Sequence, residues 1–282
     1  MSAGPVVIKL GGAAIDDARA LGPLWDAIAT LATTCAGGVV LVHGGGAAVD
    51  AHLARLGLTS QRRAGLRVTP DEHIGEVVAV LRGSVNTRLV GLLCARGVAA
   101  VGLGLSDGGA CVCDKYEPDG VDLGRVGAVE AEANADDTPP GRGGLWRELL
   151  AAGRVPVLCS IGLDARGEPL NVNADDAASA VAGILHASML VLLTDVPGVL
   201  DADGSIIEST DHDGIESRIA DGTIAGGMIP KARAAVASAE ASGVPTVIAS
   251  WKDLDGFASL GAGGHPGTRI TARRRRPAGT HA

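Results

Sequence analysis

Short aliphatic runs that end on glycine recur along this 282-residue chain and constrain its fold more than any other feature. Val6-Val7-Ile8-Lys9-Leu10 passes directly into Gly11-Gly12, and Val39-Val40-Leu41-Val42-His43 into Gly44-Gly45-Gly46. Residues 99–105, 155–161 and 189–193 form similar runs. A strand that is apolar at every position is buried on both faces, as happens when helices cover a parallel or mixed sheet. Between the runs, 74–96 sets Val77, Val80, Leu81, Val85, Leu89 and Leu92 on one helical stripe and stops at Gly97. Residues 174–185 and 231–242 are alanine-rich helical stretches, the second closed by Gly243 and Pro245. Strands alternating with helices predict an α/β fold, a three-layer α/β/α sandwich with a central, mostly parallel sheet in two lobes. The lobe boundary is expected between 161 and 168, dividing residues 1–163 from 164–282.

Two stretches break the alternation. Residues 58–68 (LTSQRRAGLRV) have a polar centre and read as a hairpin or flap. Residues 114–144 are acidic and carry Pro118, Pro139 and Pro140. They predict short strands and exposed turns, with 136–144 a mobile linker before a short helix at 145–152.

Charge and composition exclude several function classes. Lys and Arg number 24 against 32 Asp and Glu, a net charge of −8 that repels polyanions. Aromatic residues are 2% of the chain, too few to stack single-stranded bases, so no nucleic-acid partner is expected. The four arginines at 273–276 read as a solvated terminus. The five cysteines read as reduced and mostly packed thiols, and no metal-ligand cluster stands out. No uninterrupted run of about 18 apolar residues predicts a membrane span. Nor does the N-terminus show a signal pattern, so a cytoplasmic protein is expected.

No GxxxxGK[ST] loop and no strand-linked GxGxxG is present. The two strand–glycine junctions stand in their place. Glycine lets backbone N–H groups approach an anion, and the helix that follows adds its positive end. Lys9 sits among Val, Ile and Leu, where an ammonium group is costly unless an anion meets it. Arg67, in Gly65-Leu66-Arg67-Val68-Thr69, reads alone as a surface strand residue; its planar guanidinium also suits a carboxylate. Asn171-Val172-Asn173-Ala174-Asp175-Asp176 opens a helix, and two Asn with two Asp exceed what a cap requires. Asn171, Asn173 and Asp175 alternate, so an extended backbone would turn them to one face. Asp195 follows an apolar strand at the end where open α/β sheets bind ligands. Lys231 near a helix start needs an anion to offset the dipole. Two lysines, an arginine, glycine-lined anion sites and a carboxylate are the groups phosphoryl transfer requires.

These segments resemble the amino-acid kinase family and, within it, the acetylglutamate kinases. The resemblance rests on IKLGG (8–12), VHGGG (42–46), GLRVT (65–69), LNVNAD (170–175), LTDVPGVL (193–200), GGMIPK (226–231), IASW (248–251) and GTRI (267–270), in family order. It implies ATP-dependent phosphorylation of the side-chain carboxylate of N-acetyl-L-glutamate, in arginine biosynthesis. By the same resemblance Lys9 and Lys231 stabilise the transferring phosphoryl group, and Asp175 orients both lysines. Gly11, Gly12 and Gly45 offer N–H groups to the phosphates, and Gly45 and Gly46 neighbour the acceptor carboxylate. Arg67 and Asn171 hold the α-carboxylate end, under the closing 58–68 flap. ATP is expected over Asp195, Val196, Pro197, Gly198, Val199 and Leu200 and over Thr223, Ile224 and Ala225, with Mg²⁺ held mainly by its phosphates. Only four residues precede the strand-like run that opens at Pro5, so the N-terminal helix of arginine-inhibited members is not expected. A homodimer built on 74–96, without that feedback, is expected instead. Two alternatives remain open: an acceptor one methylene longer, an N-acyl-α-aminoadipate, and a non-catalytic ligand sensor of the same fold.

Overall fold

The computed structural model describes residues 4–18, 21–63, 65–129 and 142–273. Residues 130–141, with most of the expected linker, and 274–282, with most of the arginine run, lie outside them. Among the described residues a central sheet of eight strands runs in the order Ser209–Asp211, Thr268–Thr271, Thr246–Ser250, Met189–Thr194, Val6–Leu10, Val39–His43, Val155–Cys159, Ala100–Leu103. Its pairings are parallel except that between Thr246–Ser250 and Thr268–Thr271.

Successive residues of the central strands enter two separate cores, one on each face. Val6, Ile8 and Leu10 pack with Trp25, Ile28, Leu81, Leu89 and Phe257. Val7, Val40 and Val42 pack with Trp146, Val181, Ala235 and Ala239 on the other side. Helices Gly22–Thr34 and Asp71–Cys94 cover the first face, Ala174–Ile184 and Met228–Ser242 the second. The three-layer expectation therefore stands. Ala100–Leu103 corrects one part of it. This strand is at the edge of the sheet, is half-buried and has Gly102 exposed, so it is not covered on both faces.

The expected strand at 155–161 ends at Cys159. After Ser160 the chain enters a second sheet, in the order Cys113–Lys115, Val126–Val129, Pro169–Val172, Ile161–Leu163. Pro169–Val172 joins strands from before the expected lobe boundary. The flap is a hairpin, Gln61–Arg63 with Leu66–Val68. Helix Met228–Ser242 starts a turn earlier than expected, with Pro230 in its first turn, where no intrahelical bond is lost. Cys111, Cys113 and Cys159 are buried, Cys35 is half-buried and Cys94 exposed.

The helix Asp71–Cys94 contains a π-helical segment, Ala79–Val85. The wider turn advances the apolar stripe by one residue, so Leu93 is fully buried and Leu92 only partly. The expectation for Leu92 is corrected accordingly. At 24 residues and a mean hydropathy of 1.4 in its apolar window, this helix is long and apolar enough to cross a membrane. In the fold its stripe packs on the sheet, Arg82 pairs with Asp107, and Arg88 donates to the Ile15 carbonyl.

Asn86 follows the π segment and is buried beside His43, the last residue of its strand. Asn86 Nδ2 lies 2.9 Å from His43 Nε2 and donates to the Val157 carbonyl at 2.8 Å. His43 Nδ1 lies 2.8 Å from the Gly44 carbonyl, which can only accept, so Nδ1 carries the proton and Nε2 accepts. Burial, with Arg88 nearby, pushes the imidazole down to about 4, against the opposing hydrogen bond to Gly44.

Leu93→Ala is expected to cost about 2–5 kcal/mol, the range for emptying a leucine site in a core, and Leu92→Ala about half as much or less. Chemical denaturation of both variants checks the register, and equal losses would contradict it. His43 also gives the fold an acid limit, because its folded-state value lies below the ordinary 6.5. Between the two values the unfolded chain binds a proton that the folded chain refuses. Stability is full above the higher value and falls as pH drops towards the lower one, by about 3 kcal/mol in all. Denaturation between pH 7 and 4 should show this slope in the native chain and not in His43→Gln.

Candidate active site

The carboxyl ends of Val6–Leu10 and Val39–His43, the flap, and the start of helix Ala174–Ile184 enclose a cavity of about 200 Å³. A second cavity of about 420 Å³ lies on the side of Met189–Thr194 and helix Met228–Ser242. The two share Lys9, Gly11, Gly12 and Asp175.

Lys9 is 16% exposed, and its Nζ lies 3.0 Å from Asp175 Oδ1. Its side chain arches back over Gly11, where a Cβ would stand 2.7 Å from Nζ. Glycine is therefore required at 11 for the ammonium to occupy that place. Gly45 has a φ of +156°, and a Cβ there would meet Leu81 at 2.9 Å. Backbone amides, not side chains, form this wall of the smaller cavity.

Asp175 is positioned by a helix start. Asn173 caps Ala174–Ile184, its side-chain oxygen accepting from the N–H groups of Asp175 at 2.8 Å and Asp176 at 3.3 Å. The positive end of the helix favours the Asp175 carboxylate beside Lys9. Asn171 Nδ2 donates to Thr69 Oγ1 at 3.1 Å. Asn171, Asn173 and Asp175 all line the smaller cavity, but so do Val172 and Ala174, and Asp175 lies in the helix. Alternation along an extended backbone therefore does not account for the grouping, and Asn173 is also the cap.

Arg67 is 8% exposed and is not a surface strand residue. Its guanidinium bonds to Asp50 and Ser60 and donates to the Gly46 carbonyl at 2.8 Å. Arg62 lies opposite it across the hairpin and reaches Asp50 at 3.1 Å. Burial works against the Asp50 carboxylate, but hydrogen bonds from Arg67, Ser60 and Arg62 outweigh it and hold the group well below the usual range. The flap is thereby tied to helix Gly46–Arg55 through the Asp50 carboxylate and the Gly46 carbonyl.

Of the two lysines expected to be oriented by Asp175, only Lys9 pairs with it here; Lys231 is placed beside Asp195. Its Nζ lies 2.6 Å from Asp195 Oδ1, and that hydrogen bond, with one from Thr194, holds the Asp195 carboxyl down at about 2. Asp195 immediately follows the strand Met189–Thr194 and faces the first turn of helix Met228–Ser242. Each lysine thus has its own carboxylate.

The remaining residues expected at the nucleotide are not brought into either cavity. Val199 and Ile224 are buried in the second core. The Val199 N–H donates to Thr268 Oγ1, and Leu200 forms a bridge with Ile206. Val196, Pro197, Gly198, Thr223 and Ala225 line neither cavity. Conversely, Arg62 and Trp251 line the cavities without having been singled out as site residues. The Arg62–Arg67 pairing follows from the hairpin register, and Trp251 closes the IASW segment. Asp50 gave no signal, being one acidic residue on a helix.

The pattern of the amino acid kinase family matches residues 4–250. The acetylglutamate kinase of Vibrio cholerae is 43% identical over 266 residues, covering 94% of this chain and 97% of that protein. The acetylglutamate kinase of Aeromonas salmonicida is 41% identical over 266 residues, covering 94% and 98%. The N-acetylglutamate synthase of Neisseria gonorrhoeae, solved with coenzyme A and N-acetyl-glutamate, shares the fold, with a TM-score of 0.75 at 24% identity. That likeness covers 99% of this chain and 62% of that one. With lysine–carboxylate pairs at the strand ends and this breadth of sequence identity, the chain belongs to the amino acid kinase family.

Proposed function

We propose that the chain uses ATP to phosphorylate the side-chain carboxylate of N-acetyl-L-glutamate, the activity its relatives are named for, as a step of arginine biosynthesis. The observation that carries this reading is the meeting of two cavities at Lys9, Gly11, Gly12 and Asp175. The smaller has the fittings of an amino-acid site. Arg67 and Asn171 hold the α-carboxylate end, and Gly45 and Gly46 lie beside the acceptor carboxylate. The larger takes the phosphates between Lys9 and Lys231, with the rest of the nucleotide over the backbone of 195–200 and 223–225. Substrate and nucleotide sites divide between 1–163 and 164–282, with Asn171 and Asp175 reaching back into the first. A homodimer would use the outer face of Asp71–Cys94, where Gly83 and Gly91 leave open space for close approach.

An acceptor carboxylate oxygen attacks the γ-phosphorus. The bond from that phosphorus to the β–γ bridging oxygen breaks, and the oxygen leaves with ADP, giving an acyl phosphate. The acceptor is already ionised at neutral pH, so no base has to remove a proton. The protein's task is alignment and neutralisation of charge on the phosphoryl oxygens. Lys9 and Lys231 supply the charge, and Asp175 and Asp195 hold the two ammonium groups in place. Among the described residues, Asp175 and Asp195 are the carboxylates these two cavities offer a metal, and each is paired with a lysine. That donor set does not fit a protein-held metal. It fits Mg²⁺ carried by the nucleotide, where the ion offsets β- and γ-phosphate charge.

Purified protein with ATP, Mg²⁺ and hydroxylamine should form a hydroxamate with N-acetylglutamate. Product only with N-acetyl-α-aminoadipate would move the acceptor one methylene out, and product with neither would sink the reading. Lys9→Ala and Lys231→Ala should each lower kcat by about two to three orders of magnitude, as for one preorganised transition-state donor. A loss below threefold in either would remove that lysine from the chemistry. Arg67→Ala should raise KM for the amino acid and leave KM for ATP in place, whereas a change in ATP affinity alone would reverse the cavity assignment.

A further inference from the structure

We propose that the buried His43–Asn86 pair is the positioning device of the Gly44–Gly46 loop, setting turnover without touching either substrate. This rests on the kinase reading above and assigns a role to two residues that line neither cavity. His43 is fully buried and Asn86 4% exposed.

The geometry fixes the loop through one peptide group. His43 Nδ1–H donates to the Gly44 carbonyl at 2.8 Å. In a trans peptide the carbonyl of one residue and the N–H of the next point in opposite directions. Anchoring the Gly44 carbonyl to the buried ring therefore turns the Gly45 N–H away from it, towards the cavity that Gly44, Gly45 and Gly46 line. The ring is itself held, since Nε2 accepts from Asn86, whose other Nδ2 hydrogen goes to the Val157 carbonyl on the neighbouring strand. Asn86 has room because residue 102 is glycine; a Cβ there would stand 2.0 Å from its Oδ1.

The same helix grips the loop a second time. Leu81 and Val85, inside the π segment Ala79–Val85, close on Gly45 so tightly that a Cβ would meet them at 2.9 and 3.3 Å. The wide turn brings both these side chains and Asn86 to one stretch of backbone, and such turns recur at functional sites. Packing alone does not call for the polar pair, because two apolar groups of like shape can fill such a space at little cost in stability. What they cannot do is orient a peptide.

The test compares three substitutions at His43 with the native chain, by hydroxamate formation at saturating N-acetylglutamate and ATP. His43→Leu removes the bond to Gly44, His43→Asn keeps a donor at the Nδ1 position, and His43→Gln carries its amide at the Nε2 position. His43→Leu should lower kcat about 10- to 100-fold, the scale for a misplaced group, with both KM values within about threefold. His43→Asn should recover at least a third of native turnover, and His43→Gln should not. Equal turnover in His43→Asn and His43→Gln would overturn the proposal, even if His43→Leu failed to fold. So would native turnover in a folded His43→Leu. An inactive native chain would instead count against the kinase reading. The Gly45 amide order parameter in ¹⁵N-glycine-labelled protein then decides the positioning claim independently. It should be near about 0.85 in the native chain and His43→Asn and fall below about 0.6 in His43→Gln. An unchanged value in His43→Gln would overturn the claim.

Discussion

A lysine carried on a strand with both faces covered must meet an anion, and the rest of the site is arranged around that requirement. Lys9 lies between Ile8 and Leu10, both fully buried, so its ammonium group can escape only beyond the strand end. Asp175 receives it there, on the first turn of a helix whose dipole favours the carboxylate. The folded-back side chain lies where a Cβ at residue 11 would crowd its ammonium group, so a side chain there would shift Lys9. One ion pair thus accounts for a residue on the first strand, a glycine after it and a helix start more than 160 positions away.

The sheet order gives this pair its chemical setting. Val6–Leu10 is central, flanked by Val39–His43 and by Met189–Thr194, and all three strands end on the same side because their pairings are parallel. Their carboxyl ends therefore deliver Lys9, the glycine loop and Asp195 to one edge, where α/β sheets hold ligands. The cavities fall on either side of the central strand and share only its end and Asp175 as common ground for an acceptor and a donor. The flap closes one side through Asp50, and the Lys231–Asp195 pair borders the other.

What the sequence made legible was what local pattern determines. The runs at 6–10 and 189–193 read as buried strands because every position but Lys9 was apolar, and Lys9 stood out against its neighbours. Asn171, Asn173, Asp175 and Asp176 stood out because a cluster of Asn and Asp ahead of an alanine-rich helix is a local property, though which of them caps the helix was not legible. The π segment had no signature, which is why Leu92 was placed where Leu93 belongs. Partner choice across the fold was also hidden. Nothing in the order of residues told that Lys231 would take Asp195, or that the Val199 and Ile224 side chains would be buried in the core. Asp50 and Asn86 were invisible for the same reason, since each matters only through residues brought to it by tertiary folding.

The coupling between Lys9 and Asp175 in turnover tests the central claim most directly. A double-mutant cycle would compare kcat in Lys9→Ala, Asp175→Ala and the variant with both changes, at saturating acceptor and ATP. If the carboxylate acts by holding the ammonium group, the double variant should be about as slow as the slower single one, because the second change removes nothing further. If the two losses multiply, Lys9 and Asp175 act separately, and the account of a site organised by their pairing is wrong.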